Sequence, residues 1–440
     1  MVKSISRKNY FCLMLLVIVL VTGMTVSAAE KQTVSIAVND SPWLPAFREI
    51  LPDYEQATGV TIKLNVFPYN GLYEKLRTSV MTGSGEFDIM FLDDCWVSFF
   101  FSGNYATPLT EIDPDFELDP EVIEYNWATR WNAEKNYSAE DGRLFGLPIN
   151  GNLQLFYYRK DLLEEAGLAA PETWDDVLNI AQRFHDPQKP LYGFVTGGQR
   201  GNRVVMDWLP ILRSHGGDIF ANLEVGDCRV IINNDAGKKA INMWLDLMTN
   251  YGPTGVADVG QSEVIAYMAT GRAVQAIIVA ASHSFMDQPD FSTIPGKVDY
   301  VVIPRGENGR HATTTGGWVM AIPRDSKNKE AALDFMKWAV TKDVQMKYTV
   351  AGSVPIRADI LRSELAERNE LRFLNALSDS WQIAVERPRI PEWYQVEDIM
   401  GLYLNQALID DVTGEEALDL MAEEIYELMK SKGYRTGLNR

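Results

Sequence analysis

The sequence predicts an α/β protein built in more than one lobe. Three observations carry this. The first part of the chain alternates strand and helix patterns. Its 440 residues exceed what one hydrophobic core serves. Hydrophobic content of 46% with 23% charged residues is an ordinary globular balance, which excludes a disordered chain.

The alternation starts with TVSIAVN (33–39), β-branched and apolar. PAFREILPDYEQATG (45–59) has helical spacing and stops at Gly59. In VTIKLNVF (60–67), Val60, Ile62, Leu64 and Val66 share one strand face. GLYEKLRTSVMTGSG (71–85) sets Leu72, Leu76 and Val80 on one helical stripe, and FDIMFL (87–92) is again a strand. Such a β-α-β-α-β run predicts a parallel sheet covered by helices. Further on, LQLFYY (153–158) reads as a buried strand, and Asp161 opens a helix closing at Gly167. Thr173 with Asp176 forms a capping box for WDDVLNIAQRF. YVVIPRG (300–306) and GGWVMAIP (316–323) are strands, and NKEAALDFMKWAV (328–340) is a helix facing a core with Ala332, Phe335 and Trp338. The tail helix (413–430) opens with a Thr413–Glu416 capping box and carries the stripe Leu418, Met421, Ile425, Leu428. Tandem repeats and low-complexity linkers are absent.

Residues 1–29 have the layout of a cleaved secretory signal peptide. Lys3, Arg7 and Lys8 precede the apolar run FCLMLLVIVLV, and small residues allow cleavage after Ala28 or Ala29. Cys12 lies too early in that run to be a lipoprotein cysteine, so a freely soluble extracytoplasmic protein is expected. Removing the three basic residues takes the formal charge from −19 to −22, which disfavours nucleic acid and anionic membranes as partners. Cys95 and Cys228, far apart in sequence, read as buried thiols rather than a disulfide. Four histidines without ligand spacing give no support for a zinc site, and no metal or cofactor is expected.

Ligands of helix-covered parallel sheets bind beyond the carboxyl ends of the strands. The three predicted exits are NDSPW (39–43), PYN (68–70) and DDCW (93–96). Each joins an aromatic residue to hydrogen-bonding groups, which favours one shared site over three independent turns. Asp93 and Asp94 could be an acid pair, a metal site, a helix cap or a recognition surface. Strand alternation argues against joint action of the two carboxylates. Asp is also a favoured N-cap, and a helix starts at WVSFFFSG.

The ordered set DIMFLDDCWVSFFFSGNYATPL, FGLPINGNLQLFYYRKDLLEEAGL with TWDDVL, GGDIF, MATGRAV, GGWVMAIP, AGSVPIR, RPRIPEW and LNQALIDDVTGEEALDLMAEEI resembles the family 1 extracellular solute-binding proteins. These are carbohydrate receptors of ABC importers, related to maltose-, trehalose- and polyol-binding proteins. The resemblance runs through essentially the whole chain after the leader. It implies a two-lobe periplasmic-binding-protein type II fold with a ligand cleft between the lobes. The crossovers are expected near Pro148, Pro304 and Val354. The first lobe is then 30–147 with 305–353, and the second 149–303 with 354–440.

A sugar needs planar polar side chains for its hydroxyls and aromatic rings for its C–H faces. The resemblance implies Asp93 as a sugar-binding carboxylate, Asn150 and Asn152 as crossover contacts, Gly317 and Trp318 as the Gly-Trp whose indole stacks on ligand, and Arg387 as a ligand arginine. Asp40, Trp43 and Trp96 belong to the strand exits, and Arg200 in GGQRGN is a further candidate; Trp208 is a weaker one that also fits a core role. Bland alternatives stand beside these: capping for Asp93 or Asp94, core for Trp96 and Trp318, and a surface pairing of Arg387 with Glu386 or Glu392. Maltose-type relatives carry a tryptophan soon after the GRAV-like segment, whereas QAIIVAASHSF has no aromatic before Phe285. A monosaccharide, disaccharide or polyol is therefore favoured over a maltodextrin. The expected protein is a monomer that closes on its ligand and delivers it to a membrane permease. An exported carbohydrate-active enzyme, or a receptor of the same fold for a non-sugar solute, is the alternative. Against the enzyme, the sequence has no Ser-His-Asp pattern, H-E-x-x-H or P-loop lysine.

Overall fold

The computed structural model describes residues 32–307 and 309–438, so the expected signal peptide lies outside the described residues. Strand β1 (Thr33–Asn39), helix α1 (Leu44–Thr58), β2 (Thr61–Phe67), α2 (Tyr69–Thr82) and β3 (Ile89–Asp93) form the predicted β-α-β-α-β unit. β2 and β3 flank β1, both parallel to it. Helix α1 ends as expected: Gly59 takes a φ of 74° and its N–H bonds the Glu55 carbonyl. The predicted face of β2 is only partly buried. Ile62 is covered, but Val66, one residue from the carboxyl end of the strand, is 36% exposed.

The other principal elements follow: α3 (Val97–Ser102), β4 (Gly146–Asn150), β5 (Gln154–Arg159), α4 (Trp174–Phe184), α5 (Asn202–Ser214), α6 (Asp235–Tyr251), α7 (Gln261–Ala269), β6 (Gln275–Val279), α8 (His283–Asp287), β7 (Val298–Val301), β8 (Thr313–Thr314), β9 (Trp318–Ala321), α9 (Lys329–Ala339), α10 (Lys342–Val350), α11 (Phe373–Trp381), β10 (Ala384–Val385), α12 (Trp393–Leu408) and α13 (Gly414–Ser431). The first sheet has the order β2-β1-β3-β9-β4 and is mixed rather than purely parallel, since β9 runs antiparallel to β3 and β4. The second sheet, β6-β5-β7, is antiparallel. Both predicted capping boxes form, at Thr173–Asp176 and Thr413–Glu416. Among the described residues no helix is long and apolar enough to cross a membrane.

Two expected crossing points shift. Pro148 lies inside β4, an edge strand, where its missing N–H is tolerated. Beyond Pro304 the chain stays with the second sheet: Arg305 exchanges backbone bonds with Glu172 and Trp174, and the Thr313 hydroxyl bonds the Gln154 carbonyl. We therefore place the first two crossings at 151–153 and 315–317. For the third we propose the neighbourhood of Val354. The three segments are tied together, with Gly316 N–H on Asn152 O at 3.0 Å and Gly151 N–H on Val354 O at 3.1 Å.

Each sheet has its own packing. Phe47 of α1 is fully buried and meets Phe91 of β3, Phe335 of α9 and Tyr348 of α10 edge-on, at 5.2, 6.2 and 6.1 Å between centroids. On the other side α12 and α13 pack against α5 and α6, burying Leu418, Met421 and Ile425 of the predicted stripe. At the crossings close approach demands glycine. A Cβ on Gly151 would strike the Pro355 carbonyl and the Tyr125 hydroxyl. Gly151→Ala is expected to cost about 1–3 kcal/mol, read as a lower urea midpoint at unchanged slope. Gly71→Ala, whose Cβ meets only Pro68 Cδ at 3.6 Å inside α2, should instead stabilise by about 0.5–1 kcal/mol.

Candidate functional site

The exits of β1 and β3 and the start of β9 meet at one place. β9 runs antiparallel to β3, so its first residue, Trp318, stands in register with Asp93, the last residue of β3. Trp43, just before α1, stacks on Phe91 at 5.8 Å and meets the Trp318 ring at 5.9 Å. Trp43, Asp93 and Trp318 belong to one wall of a cavity of about 970 Å³. The opposite wall comes from the first turns of α5 and α7, the end of β6, and α8 with the loop after it.

Asp93 is 4% exposed. Its Oδ2 accepts the Tyr69 hydroxyl at 2.7 Å and its Oδ1 accepts Arg387 Nη2. The same Nη2 donates to Asp94 Oδ1 at 2.7 Å. The expectation that alternation would separate the two carboxylates fails, because β3 stops at Asp93 and Asp94 begins the turn. Nor does Asp94 cap the next helix: Trp96 holds that position, without a side-chain cap. Arg387 is 1% exposed and does not pair with Glu386 or Glu392 at the surface. Asp93, Asp94 and Cys95 place their donor atoms within 4.8 Å of one another, and the cation shared by the two carboxylates is this guanidinium. Cys95 and Cys228 are free and buried.

The network reaches the opposite wall. Asn202, first residue of α5, donates from Nδ2 to the Tyr69 hydroxyl oxygen at 3.2 Å and to Glu397 Oε1 at 2.8 Å. Burial sets the charge states. It pushes Glu397 up to about 7, with Arg387 opposing it. It pushes Asp93 up to about 6 against the pull of Arg387, with the Asp94 charge adding to the rise. Burial also acts on Asp94, but Arg387 and Arg389 together hold it below the usual carboxylate range. The Tyr69 hydroxyl is raised by burial and by Asp93, and stays a donor.

Of the residues named from the sequence, Asp40, Trp43, Asp93, Asn152, Arg200, Trp318 and Arg387 line the cavity. Trp96, Asn150 and Gly317 do not. Trp96 lies one layer back, against Tyr69 at 4.7 Å and Trp318 at 5.7 Å. Asn150 is fully buried and donates to Ser353 Oγ at 3.0 Å, facing the third crossing. A Cβ on Gly317 would press on the Tyr125 ring, and its neighbour Gly316 is the lining residue. Trp208 is core. Tyr69, Asn202 and Glu397 were not singled out. Tyr69 belongs to the PYN exit, and Asn202 follows Arg200 in the glycine-rich loop. Glu397 sits on the buried stripe of α12 with Trp393, Val396 and Met400, an acidic residue in an apolar pattern.

Three comparisons place this architecture. A probable amino-acid ABC transporter periplasmic-binding protein of Sinorhizobium fredii is 24% identical over 88% of this chain and 87% of its own. The mannitol-binding protein of Pseudomonas aeruginosa is 24% identical over 92% of this chain and 95% of its own. The solved structure of an ABC transporter solute-binding protein of Agrobacterium radiobacter in complex with ribitol matches with a TM-score of 0.79 and 25% identity, over 90% of this chain and 98% of that one. The family model described as bacterial extracellular solute-binding protein matches residues 40–346, most of the chain, and the protein belongs to that family.

Proposed function

We propose that this protein is the extracytoplasmic receptor of an ABC importer for a sugar or polyol. It is exported by a cleaved signal peptide, works as a monomer, closes on its ligand by a hinge movement, and hands it unchanged to a membrane permease. The carrying observation is Asp93, fixed by Tyr69 and Arg387 at the base of a cavity walled by Trp43 and Trp318. A carboxylate and a guanidinium offer acceptors and donors to adjacent hydroxyls, and indoles cover C–H faces. The mannitol and ribitol bound by two relatives support this class.

An amino-acid ligand, as the name of the Sinorhizobium relative has it, needs a free fixed cation for its carboxylate. The buried guanidinium here is already committed to Asp93 and Asp94, and Arg203 is engaged by Asp207 and Gln261; the other two arginines of the lining, Arg48 and Arg200, are exposed side chains rather than fixed ones. A hydrolase needs an acid and a base free to act across one bond, and Asp93 is held on both oxygens. Calorimetry against sugars, polyols and amino acids tests the reading. Binding of a sugar or polyol with no product on prolonged incubation is expected. Product formation, or binding of amino acids alone, overturns it.

Trp318 is 4% exposed and touches Trp43 and Trp96. Trp318→Ala should weaken ligand binding by about 1–3 kcal/mol, roughly five- to 150-fold in Kd. Unchanged affinity in a folded variant would remove Trp318 from the site.

Glu397 gives a pH signature. Its value is raised from 4.5 to about 7, chiefly by burial, within a cluster that includes Asp93, Tyr69 and Arg387. A carboxyl raised on folding contributes stability that is fully present below 4.5 and lost as pH climbs through about 7. Glu397→Gln keeps an acceptor for Asn202 and cannot ionise. The variant should gain on the native protein between pH 5 and 8, by an amount on the order of 3 kcal/mol. Unfolding midpoints across that range check this, and parallel curves contradict it.

A further inference from the structure

A second buried ion pair stands at the cavity, on the wall facing Asp93 and Arg387. Arg203, the second residue of α5, is 9% exposed and lines the cavity. Its Nη2 donates to Asp207 Oδ1, one turn further along α5. Asp207 is 1% exposed and is itself fixed. The Gly197 N–H donates to its Oδ2 at 2.7 Å, and Gln154 Nε2 of β5 donates to its Oδ1. Gly197 lies so close that a Cβ there would overlap the Arg203 side chain. The guanidinium therefore has little freedom. Its Nη1 donates to Gln261 Oε1 at 2.8 Å.

That bond decides which way the Gln261 amide faces. A guanidinium donates and never accepts, so it takes the amide oxygen and turns the NH2 away. Gln261 is the first residue of α7, and the start of that helix is held by the Glu263 carboxylate on the Gly260 N–H at 3.1 Å. The side chain is half-buried and lines the cavity, and its Nε2 donates to no protein group among the described residues. Asn202 beside Arg203 is turned the other way. The Tyr69 proton is spent on Asp93, so the Tyr69 oxygen accepts from Asn202 Nδ2, which also donates to Glu397. Both Asn202 donors are used, whereas those of Gln261 are free. A long side chain already fixed in one rotamer loses little freedom when it takes a partner.

We infer that Gln261 is a ligand-contacting residue of the second wall, its Nε2 donating to a hydroxyl oxygen of the bound sugar or polyol, and that Arg203 is the positioning residue that aims it. This rests on the carbohydrate reading and adds to it a contact that the strand exits and the crossings do not supply.

The test is calorimetry on the full mature protein, with mannitol, ribitol, glucose, galactose and maltose as probes. For a probe that binds, Gln261→Met keeps the length of the side chain and removes the amide. It is expected to raise Kd about three- to tenfold, the worth of one hydrogen bond. Arg203→Lys keeps a charge for Asp207 and gives up the fork. Alone it should raise Kd about two- to fivefold, and in the Gln261→Met background it should add nothing, because it acts through Gln261. Thermal unfolding establishes that each variant is folded. Gln261→Ala replaces Gln261→Met if that variant is not folded, and the Gln261 substitution decides if Arg203→Lys is not. A probe that binds the folded Gln261 variant with unchanged Kd overturns this inference and leaves the receptor reading standing. An equal loss from Arg203→Lys in both backgrounds overturns the positioning role. Binding of none of the probes overturns the carbohydrate reading, and this inference with it.

Discussion

One buried guanidinium organises this molecule. Arg387 is 1% exposed, far below what an isolated charge tolerates. It is stable there because Asp93 and Asp94, at the end of β3, both accept from its Nη2. A cluster of this kind adds little net stability over an apolar replacement, while losing one member costs about 3–5 kcal/mol. Its value is positional. It binds the segment before α12 to the first sheet, and it turns the two carboxylates toward one point. The cavity wall is built on that point: Tyr69 donates to Asp93, and Trp318 stands beside it.

The cluster is also continuous with the crossings. Arg389, two residues on, is fully buried and lies 3.9 Å from Asp94. Its guanidinium donates to the Tyr125 and Asn126 carbonyls. Tyr125, Asn126 and Trp127 have φ of 52°, 52° and 65°, a left-handed run that non-glycine residues adopt at a cost. That run carries the Tyr125 ring in among the crossing segments, against Gly317 and Gly151. Arg387, which lines the cavity, and Arg389, which holds the Tyr125 turn among the crossing segments, are thus two residues apart on one stretch of chain. A ligand that prefers the closed arrangement can bias it only through a differential contact, and the shared placement of Arg387 and Arg389 supplies a physical route for it.

The fold was legible in the sequence where local physics decides. The first five elements, both capping boxes and the α13 stripe follow from periodicity and capping chemistry. What was not legible depends on partners distant in sequence. The antiparallel entry of β9 cannot be read from GGWVMAIP alone, and it is this register that sets Trp318 beside Asp93. Pro148 looked like a boundary because a proline interrupts most strands, and an edge strand is the exception. Asp94 looked like a cap because a helix starts nearby, but a guanidinium nearly 300 residues away claims its carboxylate. The resemblance named Arg387, and composition alone would have left it at the surface. Glu397 needed no resemblance: an acid on the apolar stripe of α12 is the signal, and it went unweighed.

The two walls of the cavity divide the work of recognition unequally. On the first, charges are fixed before any ligand arrives: Asp93 is held at both oxygens, and Arg387 by two carboxylates. Groups fixed in advance lose little freedom on binding. On the second wall, Asn202 bonds across, from α5 to Tyr69 on α2. The lobes therefore already meet through a polar relay that ends on Glu397.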